Sequence, residues 1–464
     1  MIPKSSDMSL LERTVPAKTQ DVAARPSTSG IFRLLHLADR WRFVRNVATL
    51  SAGTALAQSV NIILTPAITR LYSPTDLGVL GLFTSFLGVA TVATSLKYEL
   101  GIVSAATEDE GARLTWASML LTLPLSLLCG GALYATVHFA WLGYGALPAY
   151  AVPLMVATLA LTGTFTNLRY WAIRQDRFGI VAKGSLVQQV TRSVLQTVLG
   201  FAGAGPAGLL SGELLGRGAG IGSLLRHAWP ALKRACKAPR REIVATLSAS
   251  RKLAIYSLPS SLIDTLAMNM LVPLLIALYG SSVGGQFALM QKVLALPLAL
   301  IATSVADTFH SRLAVCAREE PGKMVSLFTR TSVGLFLIGL GPALVLFFAG
   351  ERLFGFVFGQ PWATAGMLAS ITAPFFLAQM VVSPLSRLVF VLNGQETKLI
   401  YDVLLMTGML LTFGIARTYK LNLIHTVWAM TLVNTFAYIF YYLVLLRIVA
   451  RAKLDWSAPT RQEP

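Results

Sequence analysis

Five charged side chains lie deep inside apolar runs: Arg192, Glu213, Arg217, Asp264 and Lys292. At the centre of a membrane-spanning helix each would cost about 2.5–3.5 kcal/mol if it faced lipid, so such groups turn toward a partner or a wet cavity. Glu213 and Arg217 are four residues apart, a spacing that brings two side chains together on one helix face. Arg192 is flanked at the same spacing by Gln188 and Gln196 and has no acid in its own run. That makes it the first candidate for holding an anion, because a guanidinium can grip two phosphate oxygens at once. Asp264 follows Ser257, Ser260 and Ser261 along one face, with Lys292 at comparable depth in the next run as its candidate ion partner. The cations Arg192, Arg217 and Lys292 outnumber the acids Glu213 and Asp264, which favours an anionic ligand. Either acid is an alternative carrier for a coupling proton.

Nothing else in the chain has the spacing of an enzyme. No GxxxxGK[ST] loop is present, and Gly203, Gly205 and Gly208 match GxGxxG only in a turn with no preceding strand. The five histidines are scattered, without metal-ligand or triad spacing. Cys129, Cys236 and Cys316 form neither a disulfide framework nor a metal motif. No cofactor is expected beyond a proton or sodium gradient.

The elements that must position these charges are transmembrane helices. Of 464 residues 55% are hydrophobic and only 13% charged, with a mean hydropathy of +0.64. Soluble domains carry about 25% charged residues. About twelve runs are long enough to cross a bilayer, near 46–69, 77–96, 115–137, 147–168, 178–201, 206–225, 253–278, 284–306, 326–349, 363–386, 397–416 and 424–446. They lack strand alternation, and in lipid a spanning helix satisfies its own backbone. The net charge of +18 lies mostly in the connections and reports topology rather than nucleic acid. With both termini cytoplasmic, only Arg70, Arg352, Arg417 and Lys420 of the 39 Lys and Arg fall outside, and Arg192, Arg217 and Lys292 lie within spans. The expected division is a cytoplasmic tail with an amphipathic stretch (1–45), a first lobe (46–228), a basic linker (229–252), a second lobe (253–447) and a tail (448–464). The linker reads as a topology signal or as a contact for lipid headgroups.

The halves echo each other at an offset of 207 residues: Pro66, Leu71, Tyr72, Gly78 and Leu82 fall on Pro273, Leu278, Tyr279, Gly285 and Leu289. Paired bundles are the common architecture of secondary transporters, with the site near the midplane between repeats. Gly208, Gly212, Gly216 and Gly220 form a smooth helix face that reads as packing.

Several strings resemble signatures of bacterial polysaccharide exporters. Leu71-Tyr72-Ser73-Pro74-Thr75-Asp76-Leu77-Gly78 is similar to the YSPxDxG turn after the first span. Leu96-Lys97-Tyr98-Glu99-Leu100-Gly101-Ile102, with Glu108-Asp109-Glu110-Gly111-Ala112, resembles the RYExAI…EA signature ending the second. Phe358-Gly359-Gln360-Pro361-Trp362-Ala363-Thr364-Ala365-Gly366 is similar to FGxxWxxAG, and Ser383-Pro384-Leu385-Ser386 to SPLS. Lys97 and Gly101 depart mildly from the pattern. The resemblance is to Wzx-type oligosaccharide flippases in the multidrug/oligosaccharidyl-lipid/polysaccharide (MOP) superfamily. It implies an all-α protein of two lobes, about six spans each, around a central cavity. It further implies ion-coupled flipping of an undecaprenyl-diphosphate-linked oligosaccharide across the bacterial inner membrane, for O-antigen, capsule or exopolysaccharide. A polysaccharide polymerase and chain-length proteins are the partners it admits. Family cavities are typically cationic, in keeping with Arg192, Arg217 and Lys292. The first span has no buried basic residue of the kind lipid II flippases carry, which argues against peptidoglycan precursor as cargo. Glu99, at the motif's acidic position beside Lys97, reads as a gate or headgroup contact, or as half of an ion pair anchoring the helix end. The alternatives are a cation-coupled multidrug antiporter of the same superfamily, which would favour an acidic or aromatic cavity, and a membrane polysaccharide polymerase.

Overall fold

The computed structural model describes residue 53 and residues 56–457, apart from 252, 299–302 and 393–394. The expected tail and amphipathic stretch (1–45), the start of the first span and residues 458–464 lie outside the described residues. Among the described residues there is no strand. The first half comprises α1 (56–71), α2 (Pro74–Ser95), α3 (Tyr98–Ser104), α4 (Glu108–His138), α5 (Ala151–Arg174), α6 (Phe178–Phe201), α7 (Gly205–Gly218) and α8 (Ile221–Ala235). After α9 (Arg240–Ala249) and a short turn at Leu253–Ser257, the second half follows. It holds α10 (Leu258–Asn269), α11 (Leu271–Tyr279), α12 (Ser281–Pro297), α13 (Thr303–Glu319), α14 (Met324–Phe358), α15 (Ala363–Leu385), α16 (Leu388–Val391), α17 (Gln395–Thr418) and α18 (Leu423–Ser457).

Eight helices among the described residues are long and apolar enough to cross a membrane. The remaining expected runs are the first, partly outside the described residues, and the fifth, sixth and eighth. The fifth, α6, is dense in polar groups (Lys183, Gln188, Gln189, Arg192 and Gln196). The sixth is not one rod but two, α7 and α8, broken at Gly220, whose φ is +79°. It also reaches ten residues past its expected end, so α8 and α9 occupy most of the stretch expected as linker.

The motif residues are mostly helix punctuation. Ser73 caps α2: its Oγ accepts from the Asp76 N–H at 3.2 Å, and Asp76 accepts from the Ser73 N–H at 2.9 Å, with Pro74 at the first turn. Leu96 and Lys97 are both left-handed, turning the chain from α2 into α3. Thr107 Oγ1 caps α4 by accepting from the Glu110 N–H, while the Glu110 carboxylate accepts from the Ala106 N–H just before the cap. Arg174 closes the end of α3 by donating to the carbonyls of Ile102, Val103 and Thr107. Trp362, fully buried, donates its indole N–H to the Thr69 carbonyl at 2.7 Å and so ties the two halves.

The core is divided unevenly. Connections rich in Lys and Arg gather at one end of the bundle, the basic end. At the opposite end, and through mid-depth, one hydrophobic cluster runs across both halves, including Leu82, Phe83, Met155, Leu209, Phe287, Trp362 and Phe376. At the basic end each half has its own cluster, Ile102, Leu168, Trp171 and Leu232 in the first and Phe309, Phe328, Leu388 and Leu445 in the second. The cross-half seam runs along α2 and α12, with α10 and α11 beside α2.

The internal echo makes this seam. A Cβ on Gly78 would overlap the Ser281 carbonyl, and one on Gly285 would overlap the Pro74 carbonyl. Pro74 and Ser281 are themselves equivalent at the 207-residue offset, so the crossing is two-fold in character. The echoed tyrosines act alike too: the Tyr72 hydroxyl donates to the Gln196 carbonyl at 2.7 Å, and that of Tyr279 to the Leu421 carbonyl at 2.9 Å. Tyr72 fastens the end of the first half's first span to its fifth, and Tyr279 fastens the end of the second half's first span to the turn between its fifth and sixth.

Candidate functional site

The charged residues of the first half converge on Glu213. Its carboxylate is 2% exposed and takes two guanidiniums, Arg192 Nη1 at 3.1 Å from α6 and Arg217 Nε at 2.9 Å from its own helix. The approach depends on small residues. A Cβ on Gly212 would stand 2.5 Å from the Gln196 side chain, and one on Gly216 would stand 2.5 Å from Arg192 Cβ. Arg192 also donates to Gln189 Oε1 at 2.6 Å. Gln188 and Gln196 give their amide N–H groups to the Arg217 and Leu209 carbonyls, at 2.7 and 3.1 Å. The expected polar stripe on α6 therefore stitches α6 to α7.

Arg192 thus has an acid after all, on the neighbouring helix rather than its own. The guanidiniums are not sealed in: the Arg192 side chain is 22% exposed and that of Arg217 33%. Arg217 uses Nε for Glu213, and its two terminal nitrogens have no acceptor among the described residues. Lys292 approaches from α12 in the second half, about 16 Å along the helix from its first residue. The charges that act on it are Arg192 and Glu213. The result is a cluster with three cations and one carboxylate, drawn from both halves and net positive.

Asp264 does not join it. It is exposed on α10 and makes no ion pair among the described residues, so the expected Asp264–Lys292 pair is absent. Glu99 lies apart as well, on α3 at the basic end. It is 5% exposed, accepts from Ser95 Oγ at 3.3 Å and leaves Oε2 buried without a partner among the described residues. Burial pushes its carboxyl above the usual range, against the pull of Lys97 and Ser95. Among the described residues Glu99 makes no ion pair, so of its two readings the anchoring pair has no partner there. Gln189 is the site residue that a search at four-residue spacing passes over; its signal is the three-residue step to Arg192.

Among the described residues no His, Cys, Asp or Glu cluster could hold a metal ion. A cavity of about 650 Å³ lies away from the cluster, at the opposite end, between the loop carrying Leu142 and Gly143, α11 and α17, with Arg417 its charged wall.

A family model described as "Polysaccharide biosynthesis protein" matches residues 67–366. The chain belongs to this family. A comparison with curated proteins gave no match. Solved structures share the fold at low identity. An inward-facing multidrug resistance MATE family transporter of the MOP superfamily superposes with a TM-score of 0.64 at 19% identity, covering 86% of this chain and 96% of that one. The lipid II flippase MurJ, inward closed, gives 0.63 at 13%, covering 88% and 90%. A MOP superfamily transporter from Pyrococcus furiosus, whose title reports reverse polarity of its binding pocket, gives 0.50 at 16%, covering 88% and 96%. This family member is a multi-pass membrane protein whose fold is shared with those MOP superfamily transporters.

Proposed function

We propose that this protein flips an undecaprenyl-diphosphate-linked oligosaccharide across the bacterial inner membrane for surface-polysaccharide synthesis. The observation that carries the reading is the net-positive cluster shared by the two halves. Arg217 offers unpaired guanidinium nitrogens, Lys292 stands within electrostatic reach of Arg192 and Glu213 from the other half, and Glu213 with Gln189 holds Arg192 in place. A diphosphate is an anion of matching charge, and Arg217 would take its oxygens bidentately while Lys292 acts as a point charge. The prenyl chain stays in the bilayer, so only the head group needs a polar route.

The reading places the basic end in the cytoplasm, by the charge asymmetry of the connections. Cargo then enters where the halves have separate cores and leaves toward the end they share. A proton or sodium gradient drives the cycle in this scheme. Of the candidate acids, Glu213 is occupied by two guanidiniums and Asp264 is exposed. Glu99, buried with one free oxygen, is the acid placed to take up a proton.

The test is export in cells. Arg217→Gln, Lys292→Gln and Arg192→Ala should each abolish surface polysaccharide while the protein remains in the membrane and lipid-linked oligosaccharide accumulates. Normal polymer in the Arg217 and Lys292 variants would remove the cluster from the mechanism. A multidrug antiporter would instead change drug susceptibility in a deletion strain and leave polymer intact.

A further inference from the structure

α8 has two opposite faces. Leu224, Ala228, Ala231, Leu232 and Ala235 are buried against the first half. Arg226, Trp229 and Lys233 point the other way and are exposed, Trp229 to 56%. Their three- and four-residue steps align them as one stripe.

The position of α8 fixes what that stripe meets. Near its start Leu224 lies beside Gly184 and Phe165, well above the basic ends of α6 and α5. Near its other end Arg234 lies 3.6 Å from Glu108, the first residue of α4. The helix therefore descends alongside the bundle from apolar depth to the basic end, and its stripe faces away from the protein. From Arg226 to Lys233 is about 10 Å of helix, enough to cross the headgroup layer of one leaflet. An indole between two cations at that level is the side-chain pattern of a membrane interface.

Charge narrows the occupant. Two of the acids nearby are committed, Glu108 to Arg234 and Glu242 to Arg113 at 2.9 Å, leaving Asp109 against a larger number of cations. Arg226 and Lys233 have no ion pair among the described residues, and exposed Lys237, Arg240 and Arg241 continue the basic surface. We infer that the Arg226–Trp229–Lys233 face of α8 is a binding site for anionic phospholipid headgroups, with the indole seated among them and the cations on phosphates. The site is independent of the cargo. Each basic side chain at such a surface is worth roughly a fivefold preference for anionic lipid.

The experiment uses the full-length protein in nanodiscs of phosphatidylcholine with 30% (about one lipid in three) phosphatidylglycerol. Lipids retained on gentle extraction are counted by native mass spectrometry. The wild type should retain phosphatidylglycerol preferentially, and R226Q/K233Q should lose at least about fivefold of that preference. In a second arm, brominated phosphatidylglycerol should quench the emission that Trp229→Phe removes. This arm decides the matter even if the double variant folds poorly. Equal preference in wild type and a folded double variant would overturn the site. So would Trp229 emission that bromolipid leaves untouched, which would put the stripe in water, open to an acidic protein instead.

Discussion

The two ends of the bundle solve opposite problems. At the end opposite the basic connections, the halves share a core and are tied by backbone contacts, with Gly78 against Ser281 and Gly285 against Pro74, and by the Trp362 indole on Thr69. At the basic end the halves have separate hydrophobic clusters, and among the described residues the turn Leu253–Ser257 crosses to α3, with Ala254 packed on the first half's cluster. Within a bilayer, helices are held together by close van der Waals packing and interhelical hydrogen bonds, so the shared, closely packed core resists separation more than the split cores do. The charged cluster sits between, at mid-depth. A transporter that opens toward one side needs this asymmetry.

The comparison is open to test, beginning where the effect should be largest. Gly285→Leu places a side chain where no Cβ fits, against backbone that cannot yield. It should leave little folded protein in the membrane, measured as yield and monodispersity after extraction. A well-folded variant would show that the seam is looser than the contacts imply. Glu213→Gln should come next. Removing the carboxylate from a buried pair costs about 3–5 kcal/mol, toward the lower end here because both guanidiniums reach solvent. Thermal unfolding in detergent measures it, and the loss should shrink when Arg192→Gln is combined with it.

Trp362→Phe keeps an aromatic ring in the core but removes the indole bond between the halves and leaves part of the indole's volume unfilled. A lost hydrogen bond that leaves the buried Thr69 carbonyl unpaired costs about 1–3 kcal/mol, read as a lower melting temperature. Glu99→Gln should have the smallest effect, and the opposite sign. Because burial raises the Glu99 carboxyl, its charged form penalises the fold at neutral pH, and the penalty is relieved as pH falls through the raised value. The variant should melt slightly higher than wild type at pH 7, with the two curves converging as the solution is acidified. A gap that widens toward acid would contradict that assignment.

Much of this was legible in the sequence where information is local. Glu213 and Arg217 share a helix face by spacing alone, and the long apolar runs of α4, α14 and α15 announce themselves. The strings that resemble the family signatures turn out to be caps, turns and ties: Ser73 and Asp76, Leu96 and Lys97, Trp362. They report the fold and contain none of the clustered charges. What spacing could not supply is which neighbouring helix a side chain faces. The Arg192–Glu213 pair joins different helices, and Lys292 meets the first half rather than Asp264 because α12 packs on α2 and turns that face inward. The break at Gly220 was hidden for a related reason: a glycine in a smooth row shows nothing of its φ until the Gly184 carbonyl is found against it.

The crossing of α2 over α12 has a mechanical corollary. At Gly78 and Gly285 it is carbonyl oxygen against glycine α-carbon, with no rotamers to interlock there, while the rest of the seam packs side chains such as Leu82, Phe83 and Phe287. Side chains packed as knobs resist any change of angle, since each must leave its hole. Backbone lying on backbone at the two glycine crossings escapes that toll, so the tightest contacts of the seam are also the part of it best suited to pivot.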